Sequence, residues 1–192
     1  MMAVMIKAVI FDIDGVLLDS FEANLKFFHD LMERFGYRAP TREEFPEIFH
    51  LSLWDAIKFV TKSESVEEIR KIWDAGRSRE VTYHIELLAM PEAAESVISA
   101  LSKDYRLAIV TSRVNEAIYG IPPLARFKKY FLATVSYQDT VNHKPHPEPL
   151  LLAVQKLGVK PEESVYIGDV DNDIKAAKAA GMKVIIYSKN HF

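Results

Sequence analysis

The chain has 192 residues, of which 49% are hydrophobic and 27% charged, a globular balance that excludes a largely disordered protein. A formal net charge of −3, from 24 Lys plus Arg against 27 Asp plus Glu, gives no general pull on nucleic acid or an anionic membrane. With zero cysteines there are no disulfides, thiolate metal sites or cysteine nucleophile, and no apolar run approaches the roughly 18–20 residues of a membrane span.

The first residues, Met1 to Lys7, show neither the basic stretch nor the small-residue cleavage pattern of a secretory signal, so a cytoplasmic setting is the expectation. Ala8-Val9-Ile10-Phe11 is a continuous apolar run ending in Asp12. Short, β-branched and apolar on both faces, it reads as a buried parallel strand. From about residue 16 to 85 no strand is convincing. Phe21, Leu25, Phe28, Met32 and Phe35 follow helical spacing up to Gly36. Thr41-Arg42-Glu43-Glu44 and Ser65-Val66-Glu67-Glu68 read as capping boxes. Leu53 to Val60 and Val66 to about Leu87 continue as helices. This block holds 11 of the 21 aromatic residues and both tryptophans, and helical spacing assigns Trp54 and Trp73 to packing.

Strand–helix alternation then sets in. Pro91 to Ser102 reads as a helix with Pro in its first turn. Arg106 to Val110 is a strand ending in Thr111-Ser112. Asn115 to Phe131, with Pro122-Pro123, reads as a broken helix. Ala133 to Ser136 is a weaker strand. Glu148 to Leu157 is a helix stopped by Gly158. Ser164 to Ile167 is a strand ending in Gly168-Asp169, Asp171 to Ala180 a helix, and Met182 to Ile186 a last strand. The pattern predicts an α/β, doubly wound, Rossmann-like parallel sheet from 1–15 and 86–192, with a helical domain over 16–85 inserted after the first strand.

In open α/β sheets, ligands bind outside the carboxyl ends of the strands. Those ends carry Asp12-Ile13-Asp14-Gly15, Thr111-Ser112-Arg113, a loop with His143-Lys144-Pro145, and Gly168-Asp169-Val170-Asp171-Asn172-Asp173. Clustered carboxylates repel each other unless a cation sits among them, and an oxygen-only set suits Mg²⁺. Asp12 and Asp14 point to the same side of an extended chain, so one can attack while the other handles a proton. Thr111 and Ser112 can hold phosphate oxygens, and Lys144 can neutralise developing phosphoryl charge. Asp173 reads either as a site residue or as charge at a helix N-terminus, and Asp171 as the start or cap of that helix.

These residues resemble the motifs of the haloacid dehalogenase-like hydrolase superfamily. Phe11 to Ser20 is similar to its first motif, Val110-Thr111-Ser112 to its second, Lys144-Pro145 to its third, and Gly168-Asp169 with Asp173 to its fourth. Successive motifs are 99, 33 and 25 residues apart, measured between Asp12, Thr111, Lys144 and Asp169. The likeness is greatest to the phosphoglycolate phosphatase and β-phosphoglucomutase branch, whose small helical cap matches the insert. The resemblance implies Asp12 as nucleophile forming an aspartyl-phosphate, and Asp14 as general acid and base. It implies Mg²⁺ held by Asp12, the Asp14 backbone carbonyl and Asp169, with Asp173 close by. Gly15, Thr111, Ser112 and Lys144 would grip the phosphoryl group of a small phosphorylated metabolite. His50 and Ser52, in the cap loop, read either as substrate-facing residues or as a surface turn.

Rival readings meet particular residues. Dehalogenases of this superfamily lack the second motif-one Asp, whereas Asp14 is present. Mutases carry a His about a dozen residues after the nucleophile; here that residue is Asn24, with His29 nearby. The cap loop Ile48 to Trp54 has none of the glycine usual there, and His143 stands where a small residue is common. Both departures bear on substrate identity. A receiver-like signalling module has a similar acidic, hydroxyl and lysine set but no helical insert. A non-catalytic binding protein would not need the complete Asp12, Asp14, Thr111, Lys144 and Asp169 set.

Overall fold

The computed structural model describes residues 4–78 and 80–187. Five parallel strands, β1 (Ala8–Phe11), β2 (Arg106–Val110), β3 (Phe131–Val135), β4 (Ser164–Gly168) and β5 (Lys183–Ile186), form one sheet in the order β3-β2-β1-β4-β5. The helices are α1 (Phe21–Arg34), α2 (Pro46–Phe49), α3 (Leu53–Thr61), α4 (Val66–Arg77), α5 (Ala94–Asp104), α6 (Pro122–Ala125), α7 (Glu148–Leu157) and α8 (Asp171–Ala179). The chain splits into two compact units, one holding residues up to Asp19 together with those from Met90 onward, the other Ser20–Ala89.

In the sheet unit, β1 is central and all four of its residues are buried, which is why the sequence there has no polar face. Alternate residues Ile10, Ala108, Val110, Ala133 and Val135 join Leu150, Ala153, Val154 and Leu157 of α7 and Ala176 and Ala177 of α8 in one core. The intervening residues Val9, Phe11, Leu107 and Ile109 are buried as well, and α5 packs along β2. Phe11 meets Phe131 edge-on at 6.0 Å. β5 is an edge strand, and its Ile185 and Ile186 are exposed.

Register fixes where the strands end. Phe11 pairs with both Ile109 and Ile167, so β1, β2 and β4 terminate side by side. One residue further, Asp12 N–H donates to the Ile167 carbonyl at 2.9 Å and Thr111 N–H to that of Val135 at 3.0 Å. From β1 the chain runs to β2 and β3 on one side, then crosses to β4 and β5 on the other, and the crevice between β1 and β4 at that reversal is where such sheets take ligands.

The helical unit packs Phe21, Phe28, Phe45, Leu31, Met32, Ile57, Ile69 and Ile72 into a core of its own. Trp54 and Trp73 pack against that core and meet each other edge-on at 6.2 Å.

Several boundaries differ from the sequence reading. The division between units falls at 19/20 and 89/90 instead of 15/16 and 85/86. Residues 13–18 turn back on β1's end, where Gly15 N–H donates to the Leu18 carbonyl at 2.8 Å and Leu18 N–H to Ile13's at 2.9 Å. The helix expected from Val66 to Leu87 stops at Arg77, and among the described residues a 3₁₀ turn follows at Ile85–Leu87. The helix expected from Pro91 begins at Ala94, since Pro91 to Ala93 form a turn closed by Ala94 N–H on the Pro91 carbonyl at 2.9 Å. Glu44 does reach back to Thr41 N–H at 2.9 Å, but the box closes a turn and no helix forms before Pro46. At Ser65 the hydroxyl caps Glu68 N–H at 3.3 Å, whereas the Glu68 carboxylate turns to Tyr37 and Ser63.

Candidate active site

Four loops at the C-terminal edge of the sheet, after β1, β2, β3 and β4, place the candidate residues of this unit. Asp12 follows β1 and is 7% exposed; its Oδ1 accepts from Ile13 N–H at 2.7 Å and its Oδ2 from Lys144 Nζ at 2.7 Å. The same ammonium donates to Asp173 Oδ1 at 2.8 Å and to the Tyr166 hydroxyl at 3.0 Å, so its three protons are all engaged. Asp173 is fully buried, and its Oδ2 accepts from the backbone N–H groups of Asp169, at 3.0 Å, and Val170, at 3.3 Å. Asp173 therefore ties down the start of α8 with one oxygen and meets Lys144 with the other. Asp171 is the first residue of α8.

The carboxylates are not equivalent. Burial pushes the Asp12 carboxyl up to about 7 against the pull of Lys144. Burial and the charge of Asp12 push Asp169 up to about 8. Burial acts on Asp173 too, but Lys144 and the two backbone donors outweigh it and hold that carboxyl below the usual range. Lys144 is buried, yet the surrounding oxygens of Asp12, Tyr166 and Asp173 raise it well above an ordinary lysine. Asp12, Asp169 and Asp173 each offer an oxygen within 4.8 Å of the others, a set that could hold a metal ion.

Two glycines make the crowding possible. Gly15 has φ +75°, and a Cβ there would collide with the Asp169 carboxylate; a Cβ on Gly168 would collide with the Asp173 side chain. Thr111 is buried, and its Oγ1 accepts from Arg113 N–H at 3.2 Å, beside Ser112. The Asp14 carboxylate stands outside the metal-like cluster and is held by Arg113, Nε to Oδ2 at 2.7 Å and Nη2 to Oδ1 at 2.6 Å. His143, next to Lys144, stacks on Tyr137 with ring centroids 3.9 Å apart. His50 and Ser52 belong to the helical unit. His50 is exposed after α2, and Ser52 caps α3, its Oγ accepting from Asp55 N–H at 3.1 Å and donating to Asp55 Oδ2 at 2.6 Å.

A buried carboxylate, a hydroxyl pair, a lysine and two further carboxylates thus stand at one sheet edge, following the strands in the order Asp12, Thr111-Ser112, Lys144, Asp169 and Asp173. Residues 9–187 match the family model of the haloacid dehalogenase-like hydrolases. The chain belongs to that family. It is 30% identical over 184 residues to pyrophosphatase PpaX of Bacillus cereus (strain AH820), covering 95% of this chain and 83% of that one. A Lactobacillus plantarum structure, provisionally described as a phosphoglycolate phosphatase, superposes with a TM-score of 0.83 at 24% identity, covering 94% of this chain and 85% of that one. The β-phosphoglucomutase of Clostridium difficile superposes with a TM-score of 0.78 at 22% identity, covering 95% and 84%. The two structural likenesses carry the fold. The family match and the PpaX relative carry the class of chemistry, that of a haloacid dehalogenase-like phosphatase.

Two residues at this sheet edge received no role from the sequence. Tyr166 lies inside the apolar run of β4, where a buried tyrosine hydroxyl needs a polar partner; that need was the available signal. Arg113 stands directly after Thr111-Ser112, and its position at a strand end was the signal there.

Proposed function

We propose that the protein is a Mg²⁺-dependent phosphatase that hydrolyses a small phosphorylated metabolite through an aspartyl-phosphate on Asp12. The observation that carries the reading is the placement of Asp12. Its carboxylate sits at the end of the central strand, at the sheet's switch point, 2.7 Å from a buried lysine. An Asp12 oxygen attacks phosphorus while the bond from phosphorus to the leaving oxygen breaks, and Asp14 gives that oxygen a proton. Water then attacks the same phosphorus, Asp14 takes its proton, and the bond to Asp12 breaks to free inorganic phosphate. Thr111, Ser112 and the backbone at Gly15 hold phosphoryl oxygens, and Lys144 opposes the negative charge that develops.

The donor set fits a hard divalent cation. Asp12, Asp169 and Asp173 against Lys144 leave a formal −2 that a divalent cation among their oxygens would offset. Asp12, Asp169 and the Asp14 backbone carbonyl are assigned as ligands, with Asp173 supporting them. Bound there, Mg²⁺ would draw charge from the phosphoryl oxygens.

Asn24 favours a phosphatase over a phosphoryl mutase. It occupies the position where mutases carry a His, and its amide donates to Ser20 Oγ at 3.2 Å and accepts from the Tyr83 hydroxyl at 2.9 Å. The helical unit is assigned substrate selection, with His50 and Ser52 in the loop between α2 and α3 as contact residues. A cytoplasmic setting matches the lack of cysteine.

The test is phosphate release from a panel of pyrophosphate, phosphoglycolate, sugar phosphates and nucleotides, ranked by kcat/KM with and without Mg²⁺. Asp12→Asn is expected to abolish turnover in a folded protein. An active Asp12→Asn variant would refute the nucleophile assignment, and isomerisation of a sugar 1-phosphate without phosphate release would replace the phosphatase with a mutase.

A further inference from the structure

The Arg113–Asp14 pair is built more firmly than surface ion pairs are. Both Asp14 oxygens are taken, by Nε at 2.7 Å and by Nη2 at 2.6 Å, while Nη1 points to the Ala117 carbonyl at 3.5 Å. The arginine's own backbone is pinned on both sides. Its N–H donates to Thr111 Oγ1 at 3.2 Å, and its carbonyl accepts from Tyr137 N–H at 2.9 Å. The Arg113 side chain is only 9% exposed and that of Asp14 23%. Nothing in the phosphatase chemistry above uses this arginine. Yet it occupies the very oxygens through which Asp14 would pass a proton.

We propose that Arg113 is a positioning and specificity residue that yields Asp14 to substrates carrying a second anionic group, a carboxylate or phosphoryl, close to the scissile oxygen. The proposal rests on the reading of Asp14 as the proton-transfer residue of this site. A proton donor must lie within hydrogen-bond reach of the oxygen it serves, so the scissile oxygen comes next to Asp14 and near the guanidinium that Asp14 holds. The planar guanidinium fork matches a carboxylate or a phosphate equally well in bidentate geometry. An incoming anion therefore replaces Asp14 on Arg113, one ion pair for another, and the released Asp14 carboxylate takes up a proton from solvent and turns to give it to the leaving oxygen. A substrate with a neutral leaving group offers no replacement, and freeing Asp14 then breaks a charge-assisted pair outright. That difference corresponds to about ten- to a hundred-fold in rate. It falls on kcat, because the pair must open for proton transfer and not for seating the phosphoryl group.

The experiment compares 2-phosphoglycolate with its neutral amide, 2-phosphoglycolamide, at saturating Mg²⁺, in the wild type, Arg113→Gln and Arg113→Lys, with circular dichroism as the folding check. The wild type is expected to show a kcat about ten- to a hundred-fold higher for the carboxylate substrate, with KM values within a few-fold of each other. Arg113→Gln should bring that kcat ratio close to one. Arg113→Lys, which keeps the charge and loses the fork, should fall between. A wild-type kcat ratio near one overturns the proposal, as does failure of the wild type to turn over 2-phosphoglycolate. A ratio that survives in Arg113→Gln while both rates fall together also overturns it, since that is the signature of a static brace. If Arg113→Gln does not fold, the wild type and Arg113→Lys decide on the same criteria. Asp12→Asn is run on both substrates alongside. Phosphate release there brings down the aspartyl-phosphate reading itself, whereas its loss together with a flat wild-type ratio brings down only the role of Arg113.

Discussion

The two units of the chain use their buried polar groups in opposite ways. In the helical unit, Ser20 and Ser52 are the buried polar residues among those described, and Ser52 serves its own helix as an N-cap. Its charges sit at the rim as exposed pairs, such as Lys26–Asp30 and Arg34–Glu80, which are worth about 0–1 kcal/mol each. What holds it is contact among rings: Phe21 lies 5.4 Å from both Phe45 and Phe49, and Phe45 lies 5.8 Å from Phe49. In the sheet unit Asp12 and Asp173 are buried on one lysine, with Tyr166 beside them, drawn from the end of β1, from β4, from α8 and from the loop after β3. Charge gathered in this way costs stability, and a fold keeps it where chemistry requires it. The helical unit is organised by packing, the sheet edge by electrostatics.

The largest effect that would break this contrast is expected at Lys144. Lys144→Met keeps the length of the side chain and removes its charge, leaving two buried carboxylates without their shared partner. Losing one member of such a buried pair is expected to cost about 3–5 kcal/mol. Turnover should fall about 10²–10³-fold, the usual scale for removing a group that stabilises transition-state charge. Denaturant melts and phosphate-release assays check the two parts separately. A variant as stable as the wild type would mean that the site is not organised by charge.

Ile72 on α4 offers the matching test in the helical unit, since it is 1% exposed and touches only the packing side of the comparison. Ile72→Ala should cost about 2–5 kcal/mol through lost contact and a cavity. Its kcat on p-nitrophenyl phosphate, measured well below the melting temperature, should stay within a few-fold of the wild type. A collapse of kcat in a folded Ile72→Ala protein would show that the packing of this unit also sets the chemistry.

How far the sequence could be read follows the same divide. The strands were legible because a parallel strand covered on both faces is a continuous apolar run, as in Ala8 to Phe11. Asp12, Asp14, Thr111 and Asp169 were legible because they stand directly after such runs, and Lys144 because its spacing resembles a known motif. The pairing of Arg113 and that of Tyr166 were not, since their partners lie 99 and 22 residues away and only the parallel register brings them together. Helix ends in the insert were the least legible. The apolar spacing after Val66 continues past Arg77, and nothing local in Val81 to Leu87 distinguishes a further helix from a loop with one 3₁₀ turn. The capping pattern at Thr41 misled for a related reason. A side chain three residues on can satisfy a backbone N–H in a turn as well as at the start of a helix.

Tyr166 gives the smallest and finest test, because it separates packing from hydrogen bonding at one position. Its ring lies in the same core as Ile10 and Val110, an apolar role that phenylalanine would fill. Its hydroxyl does something else. It accepts from Lys144 Nζ at 3.0 Å and has a single proton to give, with Asp173 Oδ1 at 3.1 Å and the Val110 carbonyl at 3.5 Å within reach. Tyr166→Phe leaves the third Lys144 proton without its buried acceptor, which is expected to cost about 1–3 kcal/mol. The freed ammonium also loses the contact that aims it between Asp12 and Asp173, so kcat should fall by about ten-fold, a little over 1 kcal/mol in barrier. If the sheet edge were held by packing as the helical unit is, the ring alone would suffice, and Tyr166→Phe would match the wild type in both denaturation midpoint and kcat. A drop in both, set against an Ile72→Ala variant that loses stability alone, would place the hydroxyl with the charged residues it touches and not with the core that surrounds its ring.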